Sequence, residues 1–314
     1  MDRIVVDRIT KTYVEGKGKS RKETTALRGV SFSCAEGEIF GLIGPDGAGK
    51  TTLFRILTTL ILPDGGQARI DGLDIVQDFR EIRKRVGYMP GRFSLYQDLT
   101  VEENMNLFAS IFHTTVEENY HLVKEIYQQI EPFKDRRAGQ LSGGMKQKLA
   151  LSCALIHQPR VLLLDEPTTG VDAVSRKEFW DMLDRLKAQG LTILVSTPYM
   201  DEAARCDKVG LIQDGQLFSL DTPQGICDEF TDPLWAVAGP AMYELLQALR
   251  RSELVRTAFA FGDSHHVTLA DPTREAETAL LRWLADQGHP DLQWKRISPT
   301  IEDRFMAFST ESHA

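Results

Sequence analysis

This 314-residue chain has no apolar run near the roughly 20 residues that a membrane-spanning helix needs. Its opening, Met1-Asp2-Arg3-Ile4, lacks the basic-then-apolar plan of a secretory signal, so the chain is expected to stay in the compartment where it is made. Cysteine is sparse. Cys34, Cys153, Cys206 and Cys227 stand far apart, which suggests neither a Cys-x-x-Cys metal site nor a disulfide framework and fits a reducing cytosol. A basic surplus is also missing: the net charge of -8 argues against nucleic acid as a partner. One local exception, Glu15-Gly16-Lys17-Gly18-Lys19-Ser20-Arg21-Lys22-Glu23, reads either as a solvated loop between two strands or as a contact for an anion. There is no internal repeat and no low-complexity tract. The composition, 42% hydrophobic and 26% charged, is that of an ordinary globular protein, and the length suits about two domains.

What is present begins with Gly44-Pro45-Asp46-Gly47-Ala48-Gly49-Lys50-Thr51, a glycine, four residues, then Gly-Lys-Thr. The apolar run Glu38-Ile39-Phe40-Gly41-Leu42-Ile43 precedes it as a buried strand, and Thr52-Leu53-Phe54-Arg55-Ile56-Leu57 follows with helical spacing. Between a strand and a helix, such glycines let backbone N–H groups wrap phosphates at the helix N-terminus. Lys50 adds a cation for the outer phosphates, and the Thr51 hydroxyl is a ligand for Mg²⁺. The pattern predicts a nucleoside triphosphate site.

Further strands are expected over 4–10, 29–35 and 67–70, the strand-rich opening of an α/β core. Helical spacing over 101–112, 116–130 and 144–157 predicts an inserted helical subdomain, at about 88–160. Strands at 161–164, 191–195 and 208–212, with a helix over 175–189, imply a parallel sheet. Beyond Pro223 the pattern changes: strand 234–238, helix 241–251, strands 257–261 and 266–269, helix 274–287, strand 292–297 and a helix from 300 suggest a small βαββαβ-like unit. The strand at 161–164 ends in Asp165-Glu166, delivering two carboxylates to a sheet edge, where α/β sheets bind ligands. Asp165 suits the Mg²⁺ shell, and Glu166 suits orienting or deprotonating an attacking water.

Between these two elements lies Leu141-Ser142-Gly143-Gly144-Met145-Lys146-Gln147, and after them Gly170-Val171-Asp172. In that order the segments resemble the ATP-binding cassette family over residues 1 to about 226. The resemblance implies an α/β fold: a P-loop NTPase cassette over 1–226, with a β-subdomain, a parallel-sheet core and an inserted helical subdomain. A small α+β C-terminal domain over 227–314 is expected to follow it. The implied ligands are ATP and Mg²⁺, with Gly44 through Thr52 on the nucleotide, Thr51 and Asp165 on the metal and Glu166 as the catalytic group. Ser142, Gly143, Gly144 and Gln147 are expected to face the ATP of a second cassette, and Asp172 to link the two sites. Tyr13 is expected to stack on adenine, or else is simply an aromatic at a strand end.

Gly44-Pro45-Asp46-Gly47, Phe93 through Val101, Gly143 through Lys148 and Ser196 through Ala203 resemble bacterial multidrug and antibiotic exporters, matching one cassette of their tandem-cassette ATPases. That likeness implies an ATPase at the cytoplasmic face of the inner membrane, peripheral, with a separate integral membrane permease and a second cassette subunit, in a homodimer or a heterodimer. The permease is expected to dock on residues 88–100, where Phe93 and Tyr96 either line a groove or pack the helical core. The tail through Phe305 resembles the small domain of that branch, or is a generic appendage. Two positions depart from the family. Gly91 stands where a glutamine is usual, and Pro198 where a histidine is usual; no histidine occurs between His157 and His265, and Gln97 is the nearest glutamine beyond Gly91. Proline has neither an N–H nor a polar side chain. The chain's own ATP site is therefore expected to be slow. A regulatory subunit with little hydrolysis and a cassette ATPase outside transport are the alternatives.

Overall fold

The computed structural model describes residues 1–16, 22–91 and 95–311; residues 17–21 of the basic stretch, and Phe93, lie outside them. The chain divides into two compact units, Met1–Pro223 and Gln224–Ala314. Strands β1 (Asp2–Glu15) and β2 (Lys22–Ala35) pair antiparallel, and with β4 (Gly65–Ile70) and β5 (Leu73–Asp74) they form a sheet of order β2-β1-β4-β5. Ile4, Val6 and Ile9 of β1 are buried, a spacing that breaks the two-residue period of a strand. A register shift between Val6 and Ile9, with Arg8 at φ 48°, absorbs the extra residue as a bulge.

The second sheet contains β3 (Ile39–Ile43), β6 (Val86–Met89), β7 (Val161–Asp165), β8 (Thr192–Thr197), β9 (Lys208–Gln213) and β10 (Gln216–Asp221), in the order β10-β9-β3-β8-β7-β6. Five strands run parallel, and β10 pairs antiparallel at the edge. Every residue of β3, β7 and β8 is buried, as expected for parallel strands covered on both faces. Helices α1 (Lys50–Leu57), α2 (Phe79–Arg85) and α6 (Ala173–Ala188) belong to the same unit; α6 buries Phe179, Trp180, Met182 and Leu183. Strand β10 was not among the expected elements. It turns back from β9 through Asp214-Gly215, both at positive φ, the backbone that a two-residue hairpin requires.

The helical insertion comprises α3 (Val101–Ile111), α4 (Val116–Tyr127) and α5 (Gly143–Leu155). Thr100 with Glu103 and Thr115 with Glu118 form reciprocal capping boxes that start α3 and α4. Helix α4 ends at Tyr127, short of the predicted 130, because the chain tightens into a turn through Ile130 before Pro132. Fully buried Asn104 accepts from the Tyr96 N–H at 3.0 Å and donates to the carbonyls of Tyr96, Leu99 and Thr100. It clamps the segment leading into α3. Asn104→Ala is expected to cost about 1–3 kcal/mol by orphaning those groups, read as a lower urea midpoint at unchanged slope.

The second unit contains α7 (Pro223–Asp228), which begins one residue before it, then β11 (Leu234–Ala238), α8 (Met242–Arg251), β12 (Val255–Phe261), β13 (Ser264–Leu269), α9 (Arg274–Asp286), β14 (Gln293–Ile297) and α10 (Ile301–Glu311). Its sheet, of order β12-β13-β11-β14, is antiparallel throughout. Trp235, Val237, Val267 and Leu269 pack with Leu245, Leu249, Leu280 and Leu284 into a core of its own. Among the described residues, no helix is long and apolar enough to cross a membrane.

Candidate functional site

The parallel order β3-β8-β7 brings the loops after Ile43, Thr197 and Asp165 to one edge of the sheet. The first is the glycine-rich loop. A Cβ on Gly44 would lie 2.1 Å from the Ile212 carbonyl oxygen, so only glycine fits where the chain leaves β3. Gly49 caps α1 in the left-handed region at φ 103°, and a Cβ there would lie 2.4 Å from the Ala26 carbonyl oxygen. Pro45, Asp46 and Gly47 are exposed at the loop's crest, and Ala48 is buried beneath it.

Lys50 is 3% exposed, and its ammonium donates to the carbonyls of Gly44 at 2.7 Å and Pro45 at 2.9 Å. It also pairs with Glu166 Oε1 at 3.0 Å. The two residues are 116 positions apart in the chain and share one charge centre. Glu166 is in the left-handed region, φ 52°, which a non-glycine residue adopts only where surroundings hold it. The holder is Ser196: the Glu166 N–H points at both its hydroxyl, 3.0 Å, and its carbonyl, 3.1 Å. The same hydroxyl donates to Asp165 Oδ1 at 2.7 Å.

Asp165 is 3% exposed, and burial raises its pKa above the usual carboxylate range. Hydrogen bonds from Ser196 and from the Thr51 hydroxyl, together with the Lys50 charge, act in the opposite direction, while the neighbouring Glu166 charge adds to the rise. A buried carboxylate touching a hydroxyl fits Mg²⁺ in chemical type, both being hard oxygen donors. Among the described residues, no cluster of three or more His, Cys, Asp or Glu side chains could hold a metal alone. Mg²⁺ takes one or two protein oxygens and fills its shell from phosphates and water.

Ser142 caps α5, its hydroxyl accepting from the Met145 N–H at 3.3 Å. Asp172 caps α6, accepting from Val174 at 3.1 Å and Ser175 at 2.9 Å; the Ser175 bond holds its carboxyl below the usual range. Both side chains are exposed, and the two helix starts touch: a Cβ on Gly144 would lie 2.6 Å from Ser175 Oγ, and one on Gly143 3.7 Å from the Gly170 carbonyl. The hydrogen bonds of Ser142 and Asp172 stay within their own helix starts, apart from the Lys50–Glu166 centre. Gln147 does not share their exposed surface. It is buried one turn into α5, and its amide donates to the Pro167 carbonyl, so it holds the loop after Glu166 from below.

Tyr13 is half-buried, with its hydroxyl 3.4 Å from Thr52 Oγ1 beside the start of α1. Gly91 lies against the carboxylate strand: a Cβ there would come 2.8 Å from the Asp165 carbonyl oxygen. Pro198 follows Thr197, whose carbonyl accepts from the Gly44 N–H at 3.3 Å, so position 198 emerges beside the glycine-rich loop. Gln97 is exposed, its side-chain amide reaching back to the Leu95 carbonyl at 3.4 Å while its backbone carbonyl accepts from the Gly139 N–H at 2.9 Å. Sequence reasoning missed Ser196. The register that sets it opposite Asp165 follows only once β7 and β8 are paired.

A separate apolar groove of about 590 Å³ lies between α2 and β6 on one side and α3 and α5 on the other, lined by Leu60, Ile82, Tyr88, Phe108, Ile111 and His157, among others. Leu60, Ile111 and, in the segment leading into α3, Tyr96 are more than half exposed. His157 stacks on Phe112 with ring centres 3.7 Å apart, and burial lowers its pKa to about 4. In the unfolded chain, the imidazole takes up its proton near pH 6.5. The unfolded state therefore binds more protons between these values, and stability falls as pH drops from about 6.5 to about 4. His157→Leu is expected to remove about 1–3 kcal/mol of that acid-side fall, measured by urea melts at pH 7 and pH 5.

The ABC transporter family matches this chain over residues 27–169. The probable multidrug ABC transporter ATP-binding protein YbhF of Escherichia coli (strain K12) is 39% identical over 274 residues, 86% of this chain. The chain spans about half of that relative's length, 46%. The Nod factor export ATP-binding protein I of Rhizobium sp. (strain N33) is 32% identical over 310 residues, covering 98% of this chain and 97% of that protein. Among solved structures, a dimeric ATP-binding cassette in a post-hydrolysis state with ADP and Pi aligns with a TM-score of 0.62 and 27% identity. That alignment covers 70% of this chain and 98% of the other.

Proposed function

Because this chain belongs to the ATP-binding proteins of ABC transporters, we propose that it binds ATP with Mg²⁺ on its glycine-rich loop and hydrolyses it slowly to power an export complex. The observation that carries this reading is the convergence of Lys50, Thr51, Asp165, Glu166 and Ser196 at one sheet edge. Gly44 through Thr52 hold the phosphates, with Lys50 exchanging part of its contact with Glu166 for phosphate oxygens. Thr51 and Asp165 would hold Mg²⁺, which supplies charge neutralisation at the transferring phosphoryl group. Glu166, released from Lys50 and fixed through its backbone by Ser196, orients the attacking water and accepts its proton. Tyr13 supports the adenine.

Neither Gly91 nor Pro198 offers a polar side chain to this site, which supports a slow rate. The exposed Ser142, Gly143 and Asp172 at the starts of α5 and α6, with Gly144 buried behind them against Ser175, form the face for a second cassette's ATP, in a homodimer or a heterodimer. A separate membrane permease docks in the groove that Leu60, Tyr88 and Ile111 line, placing the subunit peripherally at the cytoplasmic face. The names of the multidrug and Nod factor relatives support export as the direction. A second reading, ATP-driven closure with little hydrolysis, rests on the same two substitutions. Phosphate release and sedimentation of the purified chain, with and without ATP and Mg²⁺, test both. Slow turnover above a Lys50→Ala control supports the first reading, ATP-dependent dimers without turnover support the second, and absence of nucleotide binding overturns both.

A further inference from the structure

The loop from β7 to α6 is gripped at three successive residues, and one of the grips serves no part of the site described above. Glu166 is held by Ser196 and Pro167 by Gln147; the hydroxyl of Thr168 donates to Glu202 Oε2 at 3.1 Å. Thr168 is 1% exposed and Glu202 3%. Burying a carboxylate is unfavourable unless partners offset the lost hydration. Here the offset is incomplete: Oε1 of Glu202 is buried without a hydrogen bond, and the guanidinium of Arg176 stands 3.9 Å away.

Arg176 extends the connection in both directions. It lies in the first turn of α6, where its N–H donates to the carbonyl of Asp172 at 2.9 Å. Its guanidinium pairs with Asp201 at 3.3 Å and lies over the Tyr199 ring, 4.9 Å from its centre. One buried carboxylate thus joins the loop of Glu166, the helix start capped by Asp172 and the segment that follows Pro198.

We propose that Glu202 is a positioning residue for ATP hydrolysis, fixing the 166–172 loop through Thr168 and Arg176; this rests on the ATPase reading above. Glutamine at 202 can still accept from Thr168, whereas alanine cannot. Displacement of a catalytic group by about 1 Å costs up to about 100-fold in rate. Steady-state kinetics of the full chain are therefore expected to show kcat lowered about 10- to 100-fold in Glu202→Ala and in Thr168→Val, with KM for ATP within about two-fold. The double variant is expected to be no slower than the slower single variant, because both remove one link. Glu202→Gln is expected to recover most of kcat. Thr168→Val, close to isosteric, carries the test if Glu202→Ala does not fold. A wild type without turnover overturns the ATPase reading and this inference together. A wild type with turnover, and either unchanged kcat or additive losses in the variants, overturns this inference alone.

Discussion

Glu166→Gln is expected to lower ATP turnover by about 10²–10³-fold and to leave ATP binding as tight or tighter. The rate effect follows from losing the one carboxylate beside Lys50 that is not occupied by the Ser196 and Thr51 hydroxyls, which Asp165 already engages. The affinity effect follows from the ion pair. Lys50 is fully inside the protein and Glu166 pairs with it at 3.0 Å, so an arriving phosphate competes with a carboxylate for the same ammonium. A neutral amide competes less. The shape of the loop is preserved, because Ser196 holds residue 166 through its backbone and not through its side chain. Phosphate release, together with binding of a fluorescent ATP analogue, checks both halves. Unchanged turnover would remove Glu166 from the chemistry and favour the low-hydrolysis reading; weaker binding would show that the carboxylate supports the loop and does not compete for Lys50.

Residues whose roles follow from local pattern were legible in the sequence. Gly44 and Gly49 announce the loop because no other residue type fits against Ile212 and Ala26, and Ser142 and Asp172 are oxygen-bearing caps placed where helices begin. The buried strands β3 and β7 were legible because an unbroken apolar run has few other uses in a chain of this kind. Contacts between distant segments were not. Ser196 is one polar residue at the end of a strand until β8 is set beside β7, and Glu202 looks like part of an exposed acidic pair with Asp201 until the turn after β8 is folded. Gln147 belongs to a segment whose first residues are exposed, but one helical turn carries its side chain to the interior face. Strand β10 was missed because Leu217, Phe218 and Leu220 are only partly alternating, and an edge strand is not required to hide one whole face.

Pro198→His is expected to raise turnover by about 10- to 100-fold, and adding Gly91→Gln is expected to give no further gain. The two positions look equivalent in sequence, each a polar side chain short of its family's pattern, yet the structure separates them. Position 198 emerges at the end of β8 next to the Gly44 N–H, half-buried, so an imidazole there can reach toward phosphates on the loop and supply a donor that proline lacks. Position 91 is backed by the Asp165 backbone. A Cβ at 2.8 Å from that carbonyl oxygen requires one of the two segments to move, and Asp165 is the buried residue bonded to Ser196 and Thr51. Glutamine at 91 therefore brings its amide to the site only by disturbing the carboxylate it would assist. Measuring kcat for the two single variants and the double variant distinguishes this from simple restoration. If the double variant exceeds Pro198→His by another order of magnitude, the segment at Gly91 yields without disturbing Asp165, and the steric argument is wrong. If Pro198→His gains nothing, the donor at 198 is not what limits the site, and its slowness has another origin than the missing imidazole.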